Sequence, residues 1–197
     1  MEPYANEQEV RTCSMVLANP AFTQAIRQFA QREDFKRLFQ ITDEQEGNQR
    51  NVEYVVRLIA HTFADFDRTL DVQEFLDSVI VNILTTKDPD EVMTTIIWLV
   101  ETLHRTLGER ALFPPANAPG AVAPRFSLRA LEAIAVGLAR NKNAIAALGN
   151  VDEYVRDRIT TFWQQPEVPD MSASGLRGTV RIQRTVPFGA QWFNPNA

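Results

Sequence analysis

The sequence contains little of the material from which several common kinds of site are built. It has one cysteine, Cys13, and two histidines, His61 and His104, among 197 residues. A single cysteine excludes a disulfide scaffold and a cysteine-rich metal site. Neither histidine has a second His or a Cys three or four residues away, the spacing that puts two metal ligands on one helix face. We therefore predict no catalytic residue, no metal and no cofactor, and we interpret both histidines as surface or partly buried side chains.

Long apolar runs are also missing. No stretch approaches the ~20 apolar residues of a membrane span, and residues 1–4 have neither the basic start nor the apolar core of a signal peptide. With 45% apolar and 23% charged residues, the composition is that of an ordinary globular chain. We expect a cytoplasmic protein without a membrane partner, folded as one domain or two small ones.

Charge is distributed unevenly along the chain, and lysine is scarce. Only three of the 20 basic residues are lysines, and the net charge is −5. Residues 1–110 carry 19 acids and 11 bases, whereas residues 111–197 carry 6 acids and 9 bases. No acid follows Asp170. The whole chain is therefore not a nucleic-acid binder by charge, but its final segment is basic.

Helical periodicity dominates the first four fifths of the chain. Capping boxes begin at Asn6 and Asp71, and residues 88–91 combine a cap, a first-turn proline and two acids. Apolar residues follow such starts at spacings of three and four. In the first predicted helix they form one apolar face, which consists of Val10, Cys13, Val16 and Leu17.

From these patterns we predict an all-α fold, a multi-helix bundle of about eight helices. The helical domain is predicted over residues 1–163, with a seam between two helical layers at the proline-rich loop 113–124. The polar stretch 42–48 is interpreted as a loop.

The final segment, residues 164–197, is predicted to be a short extended, basic and β-prone tail. Its helix breakers are Pro166, Pro169, Gly175 and Gly178. In the run Thr179–Val186, alternation places Val180 and Ile182 on one face. Such a tail could follow a phosphate backbone, or it could dock on the acidic half of its own chain.

Arginines fall into two groups. Five of them follow an acid by four residues, the favourable order for pairs along one helix: Glu7–Arg11, Glu33–Arg37, Glu53–Arg57, Glu101–Arg105 and Asp152–Arg156. Six others in the second half have no such acid. We predict that these contact nucleic acid or a partner: Arg125, Arg129, Arg140, Arg177, Arg181 and Arg184.

Carboxylates cluster at residues 65–71 and 88–91, and paired carboxylates can bind Mg²⁺. Both clusters stand at predicted helix starts, where capping and the helix dipole already favour acids. We interpret them as structural. A small enzyme with a carboxylate site at Asp65 and Asp67 remains an alternative.

Several short motifs, in this order along the chain, resemble the helical second half of the GmrSD-type restriction-enzyme family. They are residues 6–11, 19–22, 35–39, 53–58, Phe75-Leu76, residues 126–139, Trp163, Ser174-Gly175, Phe188-Gly189 and Phe193. The first half of that family is a ParB/sulfiredoxin-like nuclease or nucleotidase domain with an Asp-Gly-Gln-Gln-Arg motif. That motif lies upstream of the helices, and this chain begins at the helices. Residues 46–50 have similar letters, but they lie within the helical part, and we interpret the similarity as a coincidence.

The resemblance therefore implies a non-catalytic helical module of a DNA restriction or phage-defence system. Its partner would be a nuclease or nucleotidase domain or subunit acting on DNA. A stand-alone helical adaptor or inhibitor that binds a protein without DNA is the alternative. The sequence leaves the oligomeric state open.

Overall fold

The structure is a computed structural model that describes residues 7–115, 125–172 and 176–197. All regular elements in these ranges are helical, so the predicted all-α class is confirmed. The predicted number of helices is not confirmed, because short helices lie between the long ones. The predicted cap Asn6 and residues 116–124 of the proline-rich loop lie outside the described residues. None of the described helices is both long and apolar enough to span a membrane.

From Glu7 onward, the described part of the first half forms seven helices. They are α1 (Glu7–Ala18), α2 (Pro20–Ala30), α3 (Glu33–Leu38), α4 (Asp43–Gly47), α5 (Arg50–Phe63), α6 (Val72–Thr86) and α7 (Pro89–Leu107). Side chains cap three of the long helices as the sequence predicts. Asn19 accepts from the backbone of Phe22, Asp71 forms a capping box with Glu74, and Asp88 caps α7.

The second half begins with one continuous helical run. Its parts are α8 (Leu128–Ala130), a π-helical turn (Leu131–Ala135) and α9 (Val136–Arg140). The run is followed by α10 (Lys142–Ala146), α11 (Val151–Phe162) and α12 (Gly178–Trp192). Short 3-10 turns cover Gly108–Arg110 and Pro169–Ser172.

Helix α5 lies at the centre of the packing. It contacts α2, α6, α7, α9 and the π-helical turn. Every residue from 51 to 61 is buried, so α5 is covered on all sides rather than on one stripe. Such a helix must bury its polar residues together with its apolar ones, and each of them then needs a partner.

The predicted extended, β-prone tail is not confirmed, because Gly178–Trp192 form α12. Its buried residues Ile182, Thr185, Val186 and Gly189 recur at helical spacings, which the local alternation at Val180–Ile182 concealed. Gly178 begins this helix instead of breaking one. A Cβ atom on Gly189 would lie 2.0 Å from the carbonyl oxygen of Ala133, so α12 packs closely on the π-helical turn only because this residue is glycine.

The stretch 42–48 is not a plain loop either, because it contains α4. Thr42 accepts from the backbone of Gln45, whose side chain accepts from the backbone of Thr42. This capping box makes a single helical turn stable without any apolar face. Periodicity misses it because α4 buries no residue.

Candidate functional site: a buried charge cluster and two apolar surfaces

The six arginines predicted to make contacts do not form one patch. Arg125 and Arg177 are exposed. Arg184 is also exposed and donates to the carbonyl oxygen of Asp170 at 3.3 Å. The other three are partly buried and bonded within the chain. Whether any of the six contacts a partner stays a prediction.

Arg140 joins α9 to the end of α5. Its guanidinium donates to the carbonyl oxygens of His61 (2.7 Å) and Ala64 (2.6 Å) and to the carboxylate of Asp65 (2.9 Å). Carbonyls at a helix C-terminus have no partner within the helix. Arg140 therefore supplies the hydrogen bonds that end α5, and one acid of the predicted carboxylate cluster serves the same contact.

Arg181 joins α12 to the π-helical turn. Its Nε and Nη2 atoms lie 2.9 and 2.8 Å from the two carboxylate oxygens of Glu132, which is 1% exposed. The hydroxyl of Thr185 donates to the same carboxylate at 2.9 Å. A two-point arginine contact and a hydroxyl together satisfy a buried acid. Sequence reasoning missed Glu132, because its partner Arg181 lies 49 positions further along the chain.

Arg129 covers Trp163. The guanidinium carbon lies 5.2 Å from the ring centroid, and Nη1 donates to the carbonyl oxygen of Val168 at 2.8 Å. Burial lowers the pKa of Arg129 from its usual value. The contact fixes the chain after α11 against α8, so this predicted contact residue has an internal structural function.

His61 is buried where the charges of Arg57, Arg140 and Arg181 act on it; these arginines, with the acids Glu53 and Glu132, form the charge cluster. His61 is 1% exposed, so its interpretation as a surface or partly buried residue is wrong, whereas His104 is exposed. The ring of His61 stacks on Phe75, with 5.3 Å between the centroids. Neither ring nitrogen has a hydrogen-bond partner among the described residues. Burial lowers the pKa of His61 to about 3, and the charges of Arg57, Arg140 and Arg181 act in the same direction.

Glu53 is the acid of the cluster on α5. It accepts from Arg57 at 2.8 Å and from Arg50 at 2.6 Å. Burial raises the pKa of this carboxyl, but the two guanidinium groups outweigh burial, and the pKa stays below its usual value. The acid is therefore ionised at neutral pH, although it is 5% exposed.

Most ion pairs connect different helices rather than turns of one helix. Among the five predicted pairs, Glu53–Arg57 forms as predicted. The other arginines bond elsewhere: Arg11 to Asp77, Arg37 to Glu109, Arg105 to Asp152, and Arg156 to the carbonyl oxygen of Thr106. The side chain of Glu7 lies outside the described residues. The spacing of four residues did not predict these partners, because the acids and carbonyl groups that bond these arginines lie elsewhere in the fold.

The remaining acids of interest cap turns or pair with bases. Asp67 accepts from the backbone and hydroxyl of Thr69. In the segment 46–50, Glu46 pairs with Lys36, and Arg50 pairs with Glu53. Within the described ranges, no three His, Cys, Asp or Glu side chains come together as a metal site would require.

An open apolar groove runs between α2 and α7. Its volume is about 720 Å³. Ala21 and Ala25 line one wall, and Met93 and Ile97 line the other, each pair one helical turn apart. Small residues on one side and flexible ones on the other leave a channel that suits a helix of a partner.

The outer face of α1 forms a second apolar surface. Val10, Val16 and Leu17 are 53%, 40% and 86% exposed, and Cys13 beside them is exposed. The inner face of α1 instead consists of Met15 and the charged Arg11, both almost fully buried. The apolar stripe that the sequence shows is therefore the outside of the helix.

Comparisons with protein-family models, with curated proteins and with solved structures found no match. The function of the chain is therefore inferred from the geometry of its surfaces and from the sequence resemblance.

Proposed function

We propose that this chain is a non-catalytic helical module that works by binding a protein partner. The groove between α2 and α7 carries the proposal, because its walls are mostly apolar and no described residue fills it. Amphipathic helices insert apolar residues at helical spacing into grooves of this kind. The charge cluster of α5, α9 and α12 has a supporting role, because it holds together the scaffold that positions the groove.

The sequence resemblance supplies the identity of the partner. In a GmrSD-type restriction or phage-defence system, the helical half would support a nuclease or nucleotidase domain on DNA. In the alternative, the chain is an adaptor or inhibitor that binds a protein without DNA. Both functions use the same groove, and they differ in whether the exposed arginines touch DNA.

The first experiment measures binding of a recombinant ParB/sulfiredoxin-like domain of the resembled family by titration calorimetry. Ala25→Glu places a charge on the wall of the groove, and we expect it to weaken binding at least ~10-fold. Ala147→Glu adds the same charge on the exposed surface just after α10 and serves as the matched control. Equal binding by both variants and the unchanged chain would exclude the groove as the binding site.

The arginines at the start of α12 favour DNA contact as the second part of the function. Arg177, Arg181 and Arg184 are spaced by four and three residues, so they share one side, and the first and last are exposed. We expect Arg177→Ala with Arg184→Ala to weaken binding of duplex DNA and to reduce its salt dependence. Arg68→Ala with Arg110→Ala removes the same charge elsewhere and should change binding little. If both pairs of substitutions lowered DNA binding equally, the binding would depend on total charge rather than on Arg177 and Arg184, and that result would favour the adaptor.

The absence of catalysis is tested directly on the purified chain. We expect neither nuclease activity nor nucleotide hydrolysis. Turnover that is lost on Glu46→Gln or Arg50→Ala would contradict the proposal, because it would give the segment 46–50 a chemical role.

A further inference from the structure

The outer face of α1 has the residue spacing of a helix-pairing seam. Val10, Cys13 and Leu17 are separated by three and four residues, which are the a, d and a positions of a heptad. Leu17 is the most exposed of the three. Contiguous exposed apolar residues, unlike singly scattered ones, mark interaction surfaces.

The two sides of this stripe carry opposite charges. Helix α1 contacts α2 on one side and α6 on the other. The hydroxyl of Thr23 on α2 donates to the carbonyl oxygen of Met15, and exposed Arg27 lies one turn further along α2. On the α6 side, Asp77 pairs with Arg11 and stays 47% exposed, next to exposed Glu74.

These charges lie at the same height along α1. Helix α2 runs back along α1, because its last carbonyl, that of Ala30, accepts from Asn51, and Gln8 near the beginning of α1 donates to the neighbouring carbonyl of Gln49. Arg27, four residues beyond Thr23, is therefore level with about residue 11. Helix α6 runs in the direction of α1, because Asp77 bonds Arg11 and the carbonyl of Leu84 accepts from Asn19. The basic and acidic edges therefore face each other across the stripe.

This arrangement is complementary to itself. A two-fold axis parallel to α1 sets the α2 edge of one copy against the α6 edge of the other, so Arg27 meets Asp77 and Glu74. A two-fold axis perpendicular to α1 would instead put base against base and acid against acid. We propose that two copies of this chain form a homodimer by parallel pairing of their α1 helices. Each of Val10, Cys13 and Leu17 then faces its own counterpart.

The contact is small, since a single helix of 12 residues supplies the apolar part. Interfaces of this size belong to the weak, transient class. We therefore expect a dimer that forms in the micromolar range or above and is favoured at low salt, where the edge charges are screened least.

Cross-linking tests the orientation. The unchanged chain should give a Cys13–Cys13 dimer under mild oxidation. In a Cys13→Ser background, Leu17→Cys should also cross-link to itself, because parallel pairing places identical positions together. Antiparallel pairing would cross-link Leu17→Cys only with Val10→Cys, and that result would overturn the proposal. In the same background, Ala147→Cys after α10 measures random collisions.

Sedimentation equilibrium tests the dimer itself. We expect a mass that rises from 22.3 kDa toward twice that value with concentration. Leu17→Glu should weaken association at least ~10-fold, because two carboxylates then meet at the axis. Arg27→Glu should weaken it less, and Ala147→Glu should not change it. A monomer at all concentrations, or a dimer unaffected by Leu17→Glu, would overturn the proposal.

The dimer and the proposed function fail separately. Ala25→Glu should weaken partner binding and leave the dimer unchanged, whereas Leu17→Glu should do the reverse. Loss of both interactions by either variant would show that the two surfaces are one, and separate pairing of α1 would be wrong.

Discussion

Helices α1 and α5 contain similar mixtures of apolar and charged residues, but they use them in opposite ways. In α5 the charged residues Glu53 and Arg57 are buried among apolar neighbours and pair with each other. In α1 the charged Arg11 is 3% exposed, while Leu17 on the opposite face is 86% exposed. An apolar stripe in a sequence therefore shows that a helix is two-sided, and its neighbours decide which side is inside.

The difference arises from the partners available to each arginine. Arg57 finds its acid one turn away on its own helix, so α5 can be enclosed by other helices. Arg11 finds Asp77 on α6, and this bond turns the charged side of α1 toward the protein. Once Arg11 and Met15 face inward, Val10, Cys13 and Leu17 must face outward. The long-range Arg11–Asp77 pair thus favours the orientation of α1 that exposes this stripe.

Removal of Glu53 should have the largest effect. Glu53→Ala leaves Arg57 buried without its acid, and we expect a loss of about 3 kcal/mol in the free energy of unfolding. Denaturant titration measures this loss. Glu53→Gln, which keeps the shape, should retain part of the stability. Exposed Glu44→Ala should cost little, and equal costs for Glu44 and Glu53 would mean that α5 is open to water.

The buried His61 should make the fold sensitive to acid. Its pKa is about 3 in the folded chain against a usual value of 6.5, so the unfolded chain binds a proton more readily. The free energy of unfolding then has its full value above pH 6.5 and falls by about 1.4 kcal/mol per pH unit as the pH drops toward 3. His61→Leu removes this proton and two unpaired nitrogens. A shift from pH 8 to pH 5 should lower the free energy of unfolding of the variant by about 2 kcal/mol less than that of the unchanged chain.

Both chains in that comparison contain the same carboxylates, so their difference isolates the histidine. Parallel stability curves for the two chains between pH 8 and pH 5 would contradict a buried neutral His61.

Arg11 should contribute less than Glu53 to the free energy of unfolding. Arg11→Met keeps the buried stem and removes the charge, and Asp77, which is half exposed, can regain water. We expect a loss of about 1 kcal/mol in the free energy of unfolding, measured by the same denaturant titration. A loss as large as that of Glu53→Ala would show that α1 is enclosed as deeply as α5.

The sequence predicted the helical class and most long helices because caps and apolar spacing are local signals. It missed α12 because the residues that stabilise that helix, such as Gly189 against Ala133, are matched by a distant segment. It also identified arginines in the second half without revealing that Arg140 and Arg181 are bonded within the fold. Glu132 and the carbonyls of α5 lie 49 to 79 positions away, and no local pattern reports such neighbours.

Leu17 should have the smallest effect on the fold of one chain, which makes it the sharpest test of the comparison. Leu17→Gln removes an apolar side chain that already contacts water, so at low concentration we expect a change within about 0.5 kcal/mol in the free energy of unfolding. At high concentration the same substitution should lower the melting temperature, because the unchanged chain gains stability from pairing of α1. A loss above about 1 kcal/mol in dilute solution would mean that Leu17 is covered within one chain, and α1 would then resemble α5 after all.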